Sequence, residues 1–463
     1  MNTVSTQLTT SVAQELADRI VDFDKSKINA QAIATAKTAI LDTIGVTLAA
    51  VNEPAVQNLM KAIEITNTPG PSSVFGTSIK TSALDAALVN GAGSHALDYD
   101  DFSQPLGGHQ SVPLVSALFA VAEAHNKTGR DIIDAYIVGI ETEIRVARSV
   151  NFHHYDKGWH PTATVGIFGT VASAGYLLGL DKKQMATALA IATSLASGIK
   201  ANFGTMVKPL HVGTCSRNGL FAVLLAKAGY DANLSAFEHK QGFFKVFNGP
   251  GLYDADKIFE NWCDPLEILS DQLGLKQFPC CGSTHPAITM MLKLRKEETF
   301  GLDDIKGIEI LVHKRRLPHT DNPNPTSPLG AKFSVQYAVC RALVSQAVRI
   351  NDFEGDAFND PTVRKMMAIT EARPHPDMAD DSPEQFGAEV RVTLKNGTVL
   401  SRKISNLVGR GITYPMTREE LWDKYSDCAQ AVLDAGKAKT SFELLEKLDE
   451  INDIKPLISA LTV

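Results

Sequence analysis

DKKQMATALAIATSLASG, residues 181–198, shows the pattern that governs most of this chain. Asp181 and Gln184, three residues apart, form a capping box, which begins an α-helix. Three apolar side chains that follow are spaced to lie on one helix face: Met185, Leu189 and Ala192. Most other positions are Ala, Ser or Thr, whose small side chains let helix axes approach closely. The stretch therefore predicts a compact bundle of helices that bury one another.

Other helix signals lie on both sides of this stretch. Two further capping boxes occur, one near each end of the chain: Ser11 with Gln14, and Thr417 with Glu420. Ser82 begins another helix. We expect it to end at Asn90-Gly91, because these residue types favour the left-handed conformation that closes a helix.

The pattern changes after residue 300. Apolar and polar residues alternate over residues 308–313 and again over residues 389–394, which predicts two half-buried strands. Asn396-Gly397 follows the second strand and predicts a two-residue hairpin turn, because both positions tolerate positive φ. A helical stretch, residues 334–345, lies between the strands.

These patterns predict a mainly α protein with a smaller α+β part. A chain of 463 residues is too long for one ordinary core, so two domains are expected. We assign residues 1–271 and 408–463 to a large all-helical domain. Residues 272–407 form the smaller α+β domain, an α/β arrangement of the sandwich-like kind.

The composition excludes several classes of protein. Lys+Arg 45 against Asp+Glu 52 gives a net charge of −7, which argues against nucleic acid or an anionic membrane as a general partner. Residues 1–11 lack the basic start and apolar core of a secretory signal, and no apolar run reaches the roughly 20 residues of a membrane span. The 6 cysteines show no disulfide-framework or zinc spacing, so we expect a cytoplasmic protein with reduced thiols.

Four segments place ionisable side chains among glycines or prolines instead of on a helix surface. The first is Asp98-Tyr99-Asp100-Asp101, followed by His109. Three carboxylates and a histidine at a break between helices could orient water, bind a metal or tune a base. The alternative is an N-terminal cap for a helix that begins near Ser111, because acids favour that positive end.

The second segment contains Trp159-His160-Pro161. Pro161 favours the first position of a helix, which would hold His160 at its N-terminus. A helix N-terminus lowers the pKa of an imidazole and favours the neutral form that a general base needs. The alternative is a loop histidine packed on Trp159.

The third and fourth segments each contribute a lysine. Lys208 lies in an apolar stretch bounded by glycines, which indicates a partly buried lysine. Lys276 begins the segment KQFPCCGSTH, which ends at His285 near the proposed domain boundary, where clefts tend to form. Its adjacent Cys280 and Cys281 are more often core residues than nucleophiles.

No cofactor motif emerges from the sequence. Four residues could converge on a cation, but without helical metal-ligand spacing: His95, Asp98, Asp101 and His109. Phosphate-binding and dinucleotide-binding glycine motifs are absent from the sequence.

Taken together, the chain resembles the MmgE/PrpD family. The matching motifs follow one another along nearly the whole chain: residues 98–101 with His109, Gly158-Trp159-His160-Pro161, Lys208-Pro209-Leu210-His211-Val212-Gly213, residues 276–285, Phe333-Ser334-Val335-Gln336-Tyr337, and Pro415-Met416-Thr417. The resemblance implies a large all-helical domain, a smaller α+β domain, a site between them, and usually a homodimer. It also implies a small polycarboxylate substrate and no metal or organic cofactor.

The resemblance also implies a set of site residues. The catalytic residues that the resemblance implies are His109, His160, Lys208, Lys276 and Tyr337. The substrate-binding residues that it implies are Asp98, Lys208, Lys276 and His285. We expect His160 to act as the general base or acid with His109 as its counterpart, and the two lysines to stabilise charge on a carboxylate. Tyr337 could donate to the substrate or to a leaving hydroxyl group, and Asp98 could orient His109.

The reaction depends on the substrate. Family members include 2-methylcitrate dehydratases, cis-aconitate decarboxylases and iminodisuccinate epimerases, so a hydro-lyase, a carboxy-lyase and an isomerase are all compatible with the resemblance. Phe102, Gln110 and Cys281 depart from residues common in decarboxylases and count against that branch. We expect a hydro-lyase acting on a 2-methylcitrate-like acid. An epimerase, a decarboxylase and a non-catalytic carboxylate-binding protein remain alternatives.

Overall fold

The computed structural model describes residues 10–66, 68–378, 382 and 384–463. Most of the polar N-terminal segment used to exclude a signal sequence, residues 1–9, lies outside the described residues. The chain forms two compact units. The helical unit comprises Met1–Leu273 and Cys428–Val463, and the mixed unit comprises Gly274–Asp427. Compactness alone does not show independently folding domains, so the predicted domain division stays a prediction.

Helices build almost all of the helical unit. They are α1 (Val12–Val21), α2 (Ala30–Ala49), α3 (Pro54–Glu64), α4 (Ala83–Ala96), α5 (Ser111–His125), α6 (Gly129–Val150), α7 (His153–Asp156), α8 (Pro161–Thr164), α9 (Gly166–Leu177), α10 (Lys182–Leu195), α11 (Val207–Lys227) and α12 (Phe243–Phe247). Short strands in the N-terminal part are β1 (Ser72–Ser73), β2 (Lys80–Thr81) and β3 (Phe102–Ser103). Helices α4, α5, α6, α9 and α11 pack on one another and form the centre of this unit.

The capping boxes predicted from the sequence begin the helices as expected. Ser11 and Gln14 cap α1, and Asp181 and Gln184 cap α10 in the same reciprocal way. The predicted inward faces are buried: Val12, Leu16 and Ile20 in α1, and Met185, Leu189 and Ala192 in α10. Local cap chemistry and apolar spacing were therefore sufficient to place these two helices.

The prediction that α4 ends at Asn90-Gly91 is wrong, because the helix continues to Ala96. The Asn90 side chain accepts a hydrogen bond from Phe75 N and donates one to Ser73 O, each at 3.0 Å. Gly91 lies where α4 crosses α11, and a Cβ atom there would be 3.0 Å from the α-carbon of Gly213. The two residues therefore serve tertiary contacts and not a helix end.

The mixed unit contains a four-stranded sheet with helices against it. Its elements are β4 (Leu273–Gly274), which straddles the boundary, α13 (His285–Glu297), β5 (Ile305–Val312), α14 (Leu317–Thr320), α15 (Pro328–Lys332), α16 (Val335–Ser345), α17 (Pro361–Met367), β6 (Thr370–Pro374), β7 (Ala388–Leu394) and β8 (Val399–Ile404). The strand order is β6-β5-β7-β8, with β6 parallel to β5 and the other pairs antiparallel.

The predicted hairpin is present in this sheet, but its turn differs from the two-residue turn that was predicted. Leu394 N donates to Thr398 O around the three residues 395–397, Gly397 N donates to Leu394 O, and Gly397 has a φ of 91° whereas Asn396 is not at positive φ. Helix α13 packs on β7, β8 and α16, so the sheet has a helical layer on one face. The predicted fold class, mainly α with a smaller α/β part, is confirmed.

The chain leaves the mixed unit along α18 (Arg418–Ala429) and ends with α19 (Ala435–Glu446) and α20 (Lys455–Ala460). The predicted cap of α18 is present, because Thr417 N donates to Glu420 Oε2 and Glu420 N donates to Thr417 Oγ1. Among the described residues, α2 is the one helix long and apolar enough to cross a membrane by length and composition. That window is 67% buried, as expected of a core helix.

We predict that Gly213→Ala destabilises the helical unit. A Cβ atom at Gly213 would lie 2.3 Å from the Leu88 carbonyl oxygen, so α4 and α11 must move apart. The free energy of unfolding, measured in urea, is expected to fall by roughly 1–3 kcal/mol. Arg217→Ala changes an exposed position of the same helix and should alter the stability by no more than about 0.5 kcal/mol. Equal stability of the two variants would contradict the close helix crossing.

Candidate active site

A sharp turn after α4 brings three acidic residues back towards the helix end. Asp98 has a φ of 54°, in the left-handed region, which aspartate tolerates better than most residues with a Cβ atom. His95 lies in the last turn of α4 with a fully buried side chain. Its Nδ1 is 2.7 Å from Asp100 Oδ2, so the turn is closed by a histidine–carboxylate contact.

His109 follows a tight loop that joins this turn to α5. Ser103 N donates to Gly108 O at 2.8 Å, and His109 N donates to Thr162 Oγ1 at 3.1 Å. On the ring, Nδ1 is 2.6 Å from Asp101 O and 2.9 Å from Asp100 Oδ2. The backbone and one edge of the imidazole are therefore both held in place.

Lys208 comes to the same place from the beginning of α11. Its Nζ is 2.8 Å from Asp98 Oδ1, and that oxygen is 3.7 Å from His109 Nε2. The Lys208 side chain is 19% exposed and that of Asp98 is 46% exposed. This pair is therefore the solvent-facing part of the cluster.

His160 precedes the four-residue helix α8 and is buried among aromatic rings. Its ring centroid is 5.4 Å from that of His95 and 4.9 Å from that of Phe203. His160 Nδ1 is 3.2 Å from His211 Nδ1, so one of these rings donates to the other. His211 is three residues after Lys208 on α11, and this helical spacing places both side chains on one face.

The pKa of His160 lies well below its usual value, mainly because the ring is buried. The neighbouring His95 and the charge of Lys208 lower it further. A low pKa was expected from the sequence because of a helix N-terminus, and His160 does directly precede a helix that begins with Pro161. The structure adds burial, which acts most strongly, and the charge of Lys208. His160 is thus a neutral imidazole at neutral pH.

In the buried pair of His95 and Asp100, burial and the contact with neighbouring groups shift each pKa in opposite directions. Burial lowers the pKa of His95 to about 4, although Asp100 acts in the opposite direction. Burial by itself would raise the pKa of Asp100, but the imidazoles of His109 and His95 outweigh it and hold that pKa well below its usual value. Asp100 is therefore a buried carboxylate held by two imidazole rings.

Asp101 points away from this cluster. Its carboxyl group accepts from the Ser111 hydroxyl and from Ser111 N, at the beginning of α5. The Ser111 hydroxyl also lies 2.5 Å from Tyr136 Oη. Burial, with Asp100 nearby, raises the pKa of Asp101 to about 8. The helix-cap alternative for this segment thus describes Asp101, whereas Asp98 and Asp100 face the histidines.

Four side chains could offer ligand atoms to a metal ion, within 4.8 Å of one another: His95, Asp98, Asp100 and His109. The set considered from the sequence had Asp101 in place of Asp100. The Lys208 ammonium group already neutralises Asp98, and an imidazole already contacts Asp100. Both contacts disfavour a divalent cation. That the enzyme needs no metal stays a prediction.

The other predicted site residues belong to the mixed unit. Lys276 and His285 are buried there, and burial lowers the pKa of His285 to about 3. Tyr337 is fully buried, donates its hydroxyl proton to Asp352 O and accepts from Arg341 Nη2 at 3.1 Å. These contacts favour a structural role for Tyr337 over the predicted catalytic one. The site roles of Lys276, His285 and Tyr337, like those of the predicted site residues in the helical unit, stay predictions.

Four of the clustered residues were predicted from the sequence: Asp98, His109, His160 and Lys208. Asp98 was expected to orient His109, but its Oδ1 is 3.7 Å from His109 Nε2. The carboxylate nearer to the His109 ring is that of Asp100, whose Oδ2 is 2.9 Å from Nδ1. His211 was missed as a site residue, although its spacing from Lys208 was visible in the sequence. No sequence signal distinguished Asp100 from its neighbours.

Family models match most of the chain. The MmgE/PrpD N-terminal domain matches residues 14–254, and the MmgE/PrpD C-terminal domain matches residues 278–450. This chain belongs to the MmgE/PrpD family. The resemblance inferred from the sequence is therefore confirmed over both of its parts.

Known members of the family are similar to this chain at low identity. Cis-aconitate decarboxylase of Mus musculus is 27% identical over 460 residues, covering 96% of this chain and 92% of that protein. Cis-aconitate decarboxylase of Aspergillus terreus is 26% identical, covering 97% and 96%. 2-Methylcitrate dehydratase of Cupriavidus necator is 23% identical, covering 79% of each. The prediction that this chain is an enzyme of the family is confirmed.

We predict that His95 remains neutral throughout the physiological pH range. Nitrogen-15 chemical shifts of labelled histidine, with His95 assigned through His95→Gln, should show a midpoint near pH 4. Because the unfolded chain takes up this proton near pH 6.5, His95 makes the free energy of unfolding fall as the pH is lowered from 6.5 to 4. A midpoint near 6.5 would show that the ring is solvated.

Proposed function

We propose that this protein is a lyase that acts next to a carboxylate of a small di- or tricarboxylate, without a metal or organic cofactor. The observation that carries the proposal is that His109 and Lys208 meet at the half-exposed Asp98, while the ring of His160 lies next to that of His95 in the same cluster. The grouping offers a neutral base, a second proton-exchanging imidazole and a cation to one small anionic molecule. Its dehydratase and decarboxylase relatives are lyases, which supports the same class.

Lys208 is placed to bind a substrate carboxylate. In the free protein its ammonium group pairs with Asp98, whose side chain is 46% exposed. A substrate carboxylate can replace Asp98 as the partner of Lys208. No buried charge is then left unpaired, because the half-exposed Asp98 side chain can be hydrated by solvent instead. The ammonium group then stabilises the charge that develops when a proton leaves the adjacent carbon.

The two imidazoles divide the proton transfers. His160, neutral because of its burial, takes the proton from the carbon beside the carboxylate. His109 in its cationic form gives the proton on Nε2, which lies on the side of Asp98 and Lys208, to the leaving hydroxyl group, which departs as water. Dehydration of a 2-methylcitrate-like acid uses both transfers and is the reaction that we propose first.

Decarboxylation of a cis-aconitate-like acid is the second candidate. The decarboxylases align with 96–97% of this chain at 26–27% identity, more than the dehydratase at 79% and 23%. Phe102, Gln110 and Cys281 weigh against it, because decarboxylases commonly carry other residues at these positions. Epimerisation of an iminodicarboxylate needs only proton removal and return and is a third outcome of the same test. A homodimer and a cytoplasmic location stay predictions.

The reaction is identified by incubating the protein with single di- and tricarboxylates in deuterated water and recording proton spectra over time. Dehydration replaces the signals of the hydroxy acid with the vinylic or allylic signals of an unsaturated acid that keeps every carbon. Decarboxylation gives a shortened product with deuterium at the protonated carbon, and epimerisation exchanges the proton without an alkene. If no acid of the panel reacts, yet a tricarboxylate binds tightly, the protein is a carboxylate-binding protein and the proposal fails.

We predict that Lys208→Met and His160→Gln each lower kcat/KM by roughly 10²- to 10³-fold on the substrate found. Lys208→Met removes the cation that binds the carboxylate, and His160→Gln removes the base. Lys227→Met, at the other end of α11, is the matched control and should retain activity within about twofold. Full activity in either site variant would refute these roles.

We also predict that chelation leaves the turnover unchanged. Because Lys208 already neutralises Asp98, dialysis against EDTA and re-addition of Mg²⁺, Mn²⁺ or Zn²⁺ should not alter kcat beyond the error of measurement. Loss of activity in EDTA that one of these metals restores would instead favour a metal among His95, Asp98, Asp100 and His109.

A further inference from the structure

We propose that Asp100 is the positioning residue of His109, and that one carboxylate oxygen, Oδ2, does this by accepting Nδ1–H from His109 and His95 together. The inference deepens the proposed function, because it explains which nitrogen of His109 exchanges a proton with the substrate. The sequence patterns and the family resemblance included Asp100 in the acidic segment of residues 98–101 but gave it no role of its own.

The proton position on His109 follows from its neighbours. Nδ1 faces two acceptors, the Asp101 carbonyl oxygen at 2.6 Å and Asp100 Oδ2 at 2.9 Å. Neither a carbonyl nor a carboxylate can donate, so Nδ1 must carry the hydrogen. In the neutral ring the lone pair is then on Nε2, which lies on the side of Asp98 and Lys208. The contacts thus select the tautomer that can exchange protons with the substrate.

His95 is the second ring held by the same oxygen. Its Nδ1 is 2.7 Å from Asp100 Oδ2, and its ring meets that of His109 edge to face at 4.7 Å. Its Nε2 is buried and has no hydrogen-bond partner among the residues that the structure describes. His95 therefore contributes to this arrangement through Nδ1 and through its ring packing.

The bonding of Asp100 differs from that of a carboxylate that only holds a loop. Asp101, next to it, accepts from the Ser111 backbone and hydroxyl and so fixes the beginning of α5. Asp100 uses Oδ2 for two imidazoles, while its buried Oδ1 lacks a hydrogen-bond partner within the described part of the chain. A buried oxygen left in this way is unfavourable, which favours a role beyond loop structure.

The charge of Asp100 also suits proton transfer by His109. When Nε2 takes up a proton, the ring becomes cationic with Asp100 Oδ2 2.9 Å from its other nitrogen. A buried carboxylate stabilises that cation more strongly than water-exposed Asp98 can. The proton enters and leaves at Nε2, while Nδ1–H stays on the ring throughout.

The first test uses the unmodified protein and needs no substrate. Long-range proton–nitrogen correlation spectra of ¹⁵N-histidine-labelled protein, with His95→Gln and His109→Gln for assignment, report which nitrogen carries the hydrogen. We expect Nδ1–H on both rings, with strongly deshielded protons. Hydrogen on Nε2 alone in the neutral His109 ring would overturn the inference. This result does not depend on whether any polycarboxylate is turned over, so it separates a failed inference from a failed proposed function.

The second test is Asp100→Asn with Glu143→Gln as the matched control. Glu143 is a fully buried acid of the same unit whose carboxyl oxygens have no hydrogen-bond partner among the described residues, His95 and His109 included. Asp100→Asn should lower kcat by roughly 10²- to 10⁴-fold with KM changed by less than about threefold. It should also move both deshielded proton signals together.

Glu143→Gln should leave kcat and both signals as in the unmodified protein. A purely structural Asp100 would instead give a folded variant in which KM rises while kcat is preserved, and that result would overturn the inference. If the variant does not fold, the tautomers of the unmodified protein remain the deciding measurement.

Discussion

The site depends on the close crossing of α4 and α11. At this crossing Gly91 and Gly213 leave no room for side chains between the helices, and a Cβ atom at Gly213 would meet the Leu88 carbonyl oxygen at 2.3 Å. His95 lies one turn beyond Gly91, and Lys208 lies in the first turn of α11, five residues before Gly213. The same backbone contact that packs the core therefore brings a buried imidazole and a partly exposed ammonium group into one cluster.

Three carboxyl groups within four residues take three different states, and burial decides which. Asp98 is half exposed and pairs with a lysine, so it is a charged and exchangeable partner. Asp100 is buried but held by two imidazoles, which keep it ionised. Asp101 is buried beside hydroxyl groups and near another carboxylate, and its pKa of about 8 makes it mostly neutral at pH 7. One short acidic sequence thus supplies a half-exposed carboxylate that pairs with Lys208, a buried anion and a cap at the beginning of α5.

Much of the fold could be predicted from local sequence, because caps, apolar spacing and turn residues act over a few positions. The caps of α1, α10 and α18 and the Asn396-Gly397 hairpin are examples. The predicted end of α4 was wrong because Gly91 is required by a helix more than 100 residues later in the chain, which no local signal reveals.

The candidate site shows the same limit of local sequence signals. Residue types and family motifs identified Asp98, His109, His160 and Lys208, but they could not say which way each of three adjacent acids points. That depends on the left-handed turn at Asp98 and on the contacts of Ser111 and Tyr136. The helix that begins after His160 was predicted, but the burial of its ring beside Phe203 and His95, which lowers the pKa most, is a tertiary property that the sequence did not reveal.

We propose that Lys208 exchanges Asp98 for a carboxylate of the substrate, beside two imidazoles that move protons. A crystal structure of the protein with a slowly reacting tricarboxylate analogue would show this exchange. We expect a ligand carboxylate oxygen at hydrogen-bond distance from Lys208 Nζ, with the neighbouring carbon facing His160 and His109 Nε2. An analogue bound elsewhere, with the Lys208–Asp98 pair intact, would contradict it.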